Sequence, residues 1–298
     1  MPDEVREKTG LFEPHKKAGD RPRKKRKRAN DLDGKQWQKN SISVWDDIRK
    51  TQEERRLKHP ALFPTMLVRR ILESFTRGDE RVVLDPFMGS GSALLAAREM
   101  GKLGIGFEVS HKYAALARQR LSQLPLETAR DLHEDEAARA GCKIIVDDAR
   151  NVRDHLEPES VDICVTSPPY WDILSRKRTA DGKKSRDYGK EQGDLSLIDD
   201  YRGFLDELVK VFQGVCDVLK TGHYCVINVM DLRKKAVFFP YHSDLATALT
   251  ESTEFIWDDV IIWDRKPEYN NIRPLGYPSV FRINKVHEYL LIMRKMRE

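Results

Sequence analysis

Long apolar runs are missing from this chain. No window of the sequence approaches the roughly 18 uninterrupted apolar residues that a membrane-crossing helix needs, so no membrane span is expected. The opening residues, MPDEVREKTG, lack the apolar stretch of a secretory signal. Cysteine is scarce: four residues (Cys142, Cys164, Cys216, Cys225) show neither CxxC nor mixed Cys/His spacing, so no metal site is expected. Cys164 and Cys225 fall inside apolar strand-like runs, where a reduced, buried thiol is the ordinary reading. Together these absences point to a cytoplasmic protein, nucleoid-associated in a prokaryotic host. Overall charge is also modest, at +5 over 298 residues.

That charge is unevenly placed. Residues 21–28 read RPRKKRKR. Such a run repels itself and is too polar to pack, so residues 1–29 are expected to form a disordered basic arm. Its partner would be nucleic-acid phosphate, and it has the look of a nuclear-import signal, which matters only in a eukaryote. Residues 30–298 contain no low-complexity tract or internal repeat and are read as one catalytic domain.

From about residue 65 the pattern alternates. A helical stripe over 66–75 precedes a short buried strand, RVVLD (81–85), a helix at 92–100, and a second strand, GIGFE (104–108). A helix at 111–124 follows, then strands CKIIVDD (142–148) and VDICVTS (161–167). Apolar spacing predicts a helix over 201–219, with Gly222 ending the turn before YCVINVMD (224–231). Two final strand-like runs, 258–263 and 288–294, have no helical segment between them, which predicts an antiparallel pair. The whole reads as an α/β fold: a mostly parallel, seven-stranded sheet covered by helices on both faces.

In such a sheet, ligands sit beyond the carboxyl ends of the strands. The first strand ends in DPFMGSGSALLAA, with Asp85 at its tip and Gly89 and Gly91 in the turn to a helix. Glycines there let backbone approach a ligand and aim the helix N-terminus at it. The second strand ends in Glu108, suited to ribose hydroxyls. The third ends in Asp147-Asp148, with Asp148 a candidate acceptor for an adenine amino group. Leu94 stands where the dinucleotide fingerprint needs a third glycine, so a nucleoside cofactor other than NAD is expected.

The fourth strand runs into TSPPYW (166–171). Neither proline can donate to a ladder, so the strand must stop in rigid backbone. DPFMGSGS, GFE and TSPPYW together resemble the amino-methyltransferases that use S-adenosylmethionine (SAM) to methylate exocyclic amines of DNA bases. KHPALFP (58–64) is similar to that family's segment closing over the methionine end of SAM, and INKVHEYLLIMRK (283–295) to its last core strand. The resemblance implies a Rossmann-like methyltransferase fold, SAM as cofactor and DNA as substrate. It places His59, Pro60, Phe63, Asp85, Pro86, Phe87, Gly89, Gly91, Glu108, Asp148 and Ser167 at the cofactor. Ser167, Pro168, Pro169 and Tyr170 become the catalytic motif. Ser167 Oγ and the Pro168 carbonyl would accept the hydrogens of the target amine, while the Tyr170 ring would stack a flipped base. The Ser form of the motif is typical of cytosine-N4 enzymes. Adenine N6, RNA or a protein amide, and a dead DNA-binding relative remain alternatives. C5 methylation is disfavoured, since no cysteine follows a proline.

Candidate DNA-recognition loops are 172–200, basic and glycine-containing, and 264–285, rich in Asn, Arg and Tyr. Trp37, Ser41 and Trp45 resemble a segment that lies before the core in some cytosine-N4 relatives, on the base or DNA side. Only a short stretch follows the last strand, so the loops, the arm or a second copy in a homodimer must supply specificity. A cognate restriction endonuclease is a further implied partner. His223, His242 and His287 are isolated and receive no role.

Overall fold

The computed structural model describes residues 28–57, 63–123, 141–172, 193–268 and 274–296. The basic run up to Lys27, together with His59, Pro60, residues 173–192 and residues 269–273, lies outside the described residues. Among the described residues ten strands run in chain order: β1 (Val44–Trp45), β2 (Val82–Asp85), β3 (Leu103–Phe107), β4 (Cys142–Ile145), β5 (Val161–Thr166), β6 (Leu219–Val229), β7 (Leu232–Lys234), β8 (Val237–Phe239), β9 (Phe255–Asp264) and β10 (His287–Lys295).

Eight of these form one sheet in the order β1-β9-β10-β6-β5-β2-β3-β4, while β7 and β8 pair as a separate hairpin. β10 runs antiparallel to both β6 and β9, and the remaining pairs are parallel. This is the mostly parallel α/β sheet read from the sequence, with eight strands rather than seven. The extra strand is β1, whose Val44 and Trp45 pair with Ile262 and Trp263 at the sheet edge. Trp45 is accordingly buried, with Nε1 donating to the Asn40 carbonyl at 3.2 Å, so it is a core residue and not part of a DNA-facing surface.

Alternating side chains divide the core into two layers, as period-2 strands require. Cys164 and Ile227 face one side with Phe204, Leu208 and Phe212 of helix Tyr201–Val218. Ile163, Val165 and Val226 face the other, with helices Thr65–Phe75 and Ser92–Glu99. Helix Tyr201–Val218 begins where Asp200 accepts a hydrogen bond from Gly203 N at 2.7 Å, a side-chain cap for an otherwise unsatisfied amide.

One glycine carries a close approach. A Cβ on Gly106 of β3 would lie 2.5 Å from Met88 Sδ and 2.9 Å from Leu94 Cδ1, so only glycine lets the turn after β2 rest on the strand. Gly222, by contrast, does not end a turn. It lies inside β6 at φ 82°, where the register against β5 shifts between Val161 and Ile163.

Candidate active site

The order β4-β3-β2-β5 brings four carboxyl ends side by side, collecting residues far apart in sequence. Beyond them opens a cleft of about 840 Å³, counting its mouth. Phe63, Pro86, Phe87, Gly89, Glu108, Asp148, Ser167 and Pro169 line it, together with Met88, Asp147 and Asp194. Expected cofactor and motif residues thus meet at one place. Asp85 and Gly91 do not line the cleft.

Asp85 is fully buried behind the wall. Its Oδ1 accepts from Thr166 Oγ1 at 2.6 Å and from Phe87 N at 3.1 Å, while Oδ2 has no partner among the described residues. Asp85 therefore ties the end of β5 to the turn after β2, setting the spacing of Ser167 from Phe87. Burial raises its carboxyl to about 7, against the pull of Thr166 and Phe87, and Glu108 adds repulsion.

Glu108 sits at the cleft. Its Oε2 accepts from Gly89 N at 2.9 Å and its Oε1 from Ser110 N at 2.8 Å, which locks the glycine turn to the end of β3. Burial likewise raises its carboxyl to about 7, opposed by those two amides, with Asp194 pushing it further up. Buried Arg120 steadies the same turn by donating to the Ser90 carbonyl at 2.6 Å. Asp148 lines the cleft but is already claimed by Arg150, which contacts it at 2.5 Å, and by the Arg150 amide at 2.9 Å. Asp147 accepts from Asn151 at 3.1 Å and pairs with His155 Nε2 at 2.7 Å, which holds its carboxyl below the usual range.

The fit to SAM follows from this donor set. Glu108, Asp147, Asp148 and Asp194 are acidic, and among the described residues no lysine or arginine lines the cleft. Such a lining disfavours a phosphate-bearing cofactor and suits a cationic, phosphate-free nucleoside. Phe63 and Phe87 add apolar walls.

Ser167 occupies the rim between this cleft and a buried polar network. Its Oγ donates to the Asn228 carbonyl at 3.1 Å and lies 3.3 Å from Tyr170 Oη. Tyr170 donates to Glu288 Oε2 at 3.1 Å, and Asn228 Nδ2 reaches the same oxygen at 2.5 Å. Arg265 closes on Glu288 Oε1 and continues to Glu268 at 3.1 Å. Antiparallel β10 makes this meeting necessary, because its first residues lie beside the last residues of β6. No sequence motif announced Asn228, Glu288 or Arg265; the only signal was polar residues at strand ends.

This network corrects the reading of Tyr170. The residue is buried, 7% exposed, with its hydroxyl held from behind, so it anchors the motif and leaves Pro169 facing the cleft. Pro168 is buried, and the Pro169 carbonyl accepts from Tyr241 Oη at 3.3 Å. Trp171 donates to the Ile198 carbonyl at 2.8 Å and packs on Tyr201 and Phe239. His242 stacks on Tyr289 at 3.9 Å and pairs with Asp231, and His223 lies 3.3 Å from Glu80, so both are held in local pairs.

Strand order and cleft position define a SAM-dependent methyltransferase fold. Residues 4–119 and 161–298 match the DNA methylase family (N6_N4_Mtase), and the chain belongs to it. SAM is the cofactor that this family and fold define. Among curated proteins, the type II methyltransferase M.ScaI of Streptomyces caespitosus is 35% identical over 28% of this chain and 29% of its own length. M.MjaI of Methanocaldococcus jannaschii is 33% identical over 51% of this chain and 55% of its own. The matched stretch therefore spans less than two thirds of these relatives. Among solved structures, a candidate DNA modification methylase of Thermus thermophilus overlays 51% of this chain and 53% of its own at TM-score 0.36 and 30% identity.

Proposed function

We propose that the chain is a SAM-dependent DNA methyltransferase acting on the exocyclic N4 amine of cytosine. The observation that carries this reading is the state of Ser167 Oγ. Its hydroxyl can donate to the Asn228 carbonyl at 3.1 Å while Ser167 lines the cleft, an arrangement that supports Oγ as the acceptor for the amine. A base amine is a poor nucleophile because its lone pair is delocalised into the ring. An acceptor for one of its hydrogens favours a more tetrahedral nitrogen.

When bound, SAM supplies a methyl group on a positively charged sulfur. The chain's own part is positional. Asp85 and Thr166 fix the end of β5, the two prolines stiffen the backbone after it, and Tyr170 is tethered to Glu288. Preorganisation of this kind lowers a barrier because nothing rearranges during reaction. The amine loses its proton after transfer, so no strong base has to precede it.

A neutral serine at position 167, the form resembling cytosine-N4 enzymes, supports cytosine over adenine. The test is incubation of the purified chain with SAM and unmethylated genomic DNA, then nuclease digestion and mass spectrometry of the nucleosides. N4-methylcytosine is the expected product. N6-methyladenine would keep the cleft and overturn the base assignment.

A further inference from the structure

Beyond the carboxyl ends of the strands stands a surface that the cleft does not use. Hairpin β7–β8 covers residues 232–239 (LRKKAVFF), and the segment entering β10 covers 274–286 (PLGYPSVFRINKV). Neither contains an acidic residue. The two pack together: Arg282 donates to the Lys235 carbonyl at 2.8 Å, and Lys285 lies 5.0 Å from the Phe238 ring, which Arg233 also covers at 5.5 Å.

Lys234 differs from its neighbours. It turns inward to Asp172 at 2.8 Å and sits 3.7 Å from the Trp171 ring. With Phe239 against Trp171 at 5.2 Å, this fixes the hairpin directly onto the end of the TSPPYW motif. Among the described residues, Arg233, Lys235, Arg282 and Lys285 form no ion pair. Large apolar side chains stand among these cations: Phe281 is 95% exposed and Tyr277 80%.

Cations that form no ion pair among the described residues, with Asp231 the acidic group that Lys285 feels, are interleaved with exposed rings beside a site that handles a base, and this matches duplex DNA in charge and in shape. We propose that hairpin β7–β8 and segment 274–286 form one docking platform for the duplex around the target base. Arg233, Lys235, Arg282 and Lys285 contact phosphate, and Phe281 packs against bases where the stack opens. Apolar side chains used as wedges between base steps supply the physical precedent. This platform rests on the DNA reading above and goes beyond it by naming the surface.

The experiment is fluorescence-anisotropy titration of a labelled duplex against the full chain at several salt concentrations. Each lost phosphate contact lowers the salt slope by about 0.9, so Arg282→Ala with Lys285→Ala together should lower it by about 1.8. Phe281→Ala should weaken binding roughly 5- to 150-fold without changing the slope, from the worth of an aromatic–base contact. SAM affinity, measured in parallel, should stay unchanged in all variants and so report intact folding. Unchanged slope and affinity, with wild-type DNA binding intact, would overturn the platform and leave the DNA reading standing. Loss of a dimer in sedimentation, with DNA affinity per protomer unchanged, would overturn it in favour of a contact between copies. Failure of the unaltered chain to bind duplex at any salt would overturn the DNA reading itself.

Discussion

Replacing Asp85 with asparagine separates the electrostatic cost of the site's foundation from its hydrogen bonds. Burial lifts the carboxyl from 3.8 to about 7. The folded chain therefore holds a proton that the unfolded chain releases between about pH 4 and 7. Stability must fall as pH rises through that window, by at most about 1.4 kcal/mol per pH unit and on the order of 4 kcal/mol in all. Below the window both states are protonated and the cost vanishes. In Asp85→Asn, Oδ1 still accepts from Thr166 and Phe87, while the new amide takes the place of Oδ2, which has no partner among the described residues. An unsatisfied buried donor costs about 1–3 kcal/mol at every pH. Protonated Asp85 carries the same kind of unpaired donor, so the variant should lie close to wild type near pH 4 and gain on it as pH rises to 7. Glu108 also titrates near 7 and leaves a slope in both proteins, so the difference between the two profiles isolates Asp85. Urea unfolding of both proteins from pH 4.5 to 8, without SAM, reads that difference. Parallel profiles would refute the claim that Asp85 is a buried, raised carboxyl.

Glu108→Gln should weaken SAM binding roughly 10- to 150-fold in a calorimetric titration, the worth of hydrogen bonds to a charged group, and should cost about 1–3 kcal/mol of stability, because one of the Gly89 and Ser110 amides loses its acceptor. Glu288→Ala should destabilise the fold by about 3–5 kcal/mol, because Tyr170 and Arg265 then lose their buried acceptor. Equilibrium unfolding measures it, and Glu288→Gln, which keeps an acceptor for Tyr170, should recover part of the loss.

Much of this architecture was written in periodicity. Strands such as VDICVTS announce themselves because both faces are buried, and acidic residues at three strand ends mark where the cleft must open. The short elements were not legible. β1 has only two residues, and the burial of its Trp45 comes with pairing to β9, a partner more than 200 residues away in sequence. Hairpin β7–β8 turns at Lys235, a non-glycine residue with φ 56°, so no Asn-Gly or Gly signal marks it. Helix Tyr241–Ser252 carries four threonines and serines, which blur its apolar stripe. The motif itself stood out, yet its support did not. Tyr170 reads as a stacking ring from sequence because only the fold brings Glu288 and Asn228 behind it.

The central claim is that Ser167 is the acceptor for the target amine and not a packing residue. Single-turnover methyl transfer by Ser167→Ala, at saturating SAM and DNA, tests it most directly. Transfer should slow about 100- to 1,000-fold, as when one preorganised partner of a reacting group is removed, while both affinities stay near wild type. Transfer at the wild-type rate, with both ligands bound, would contradict the account.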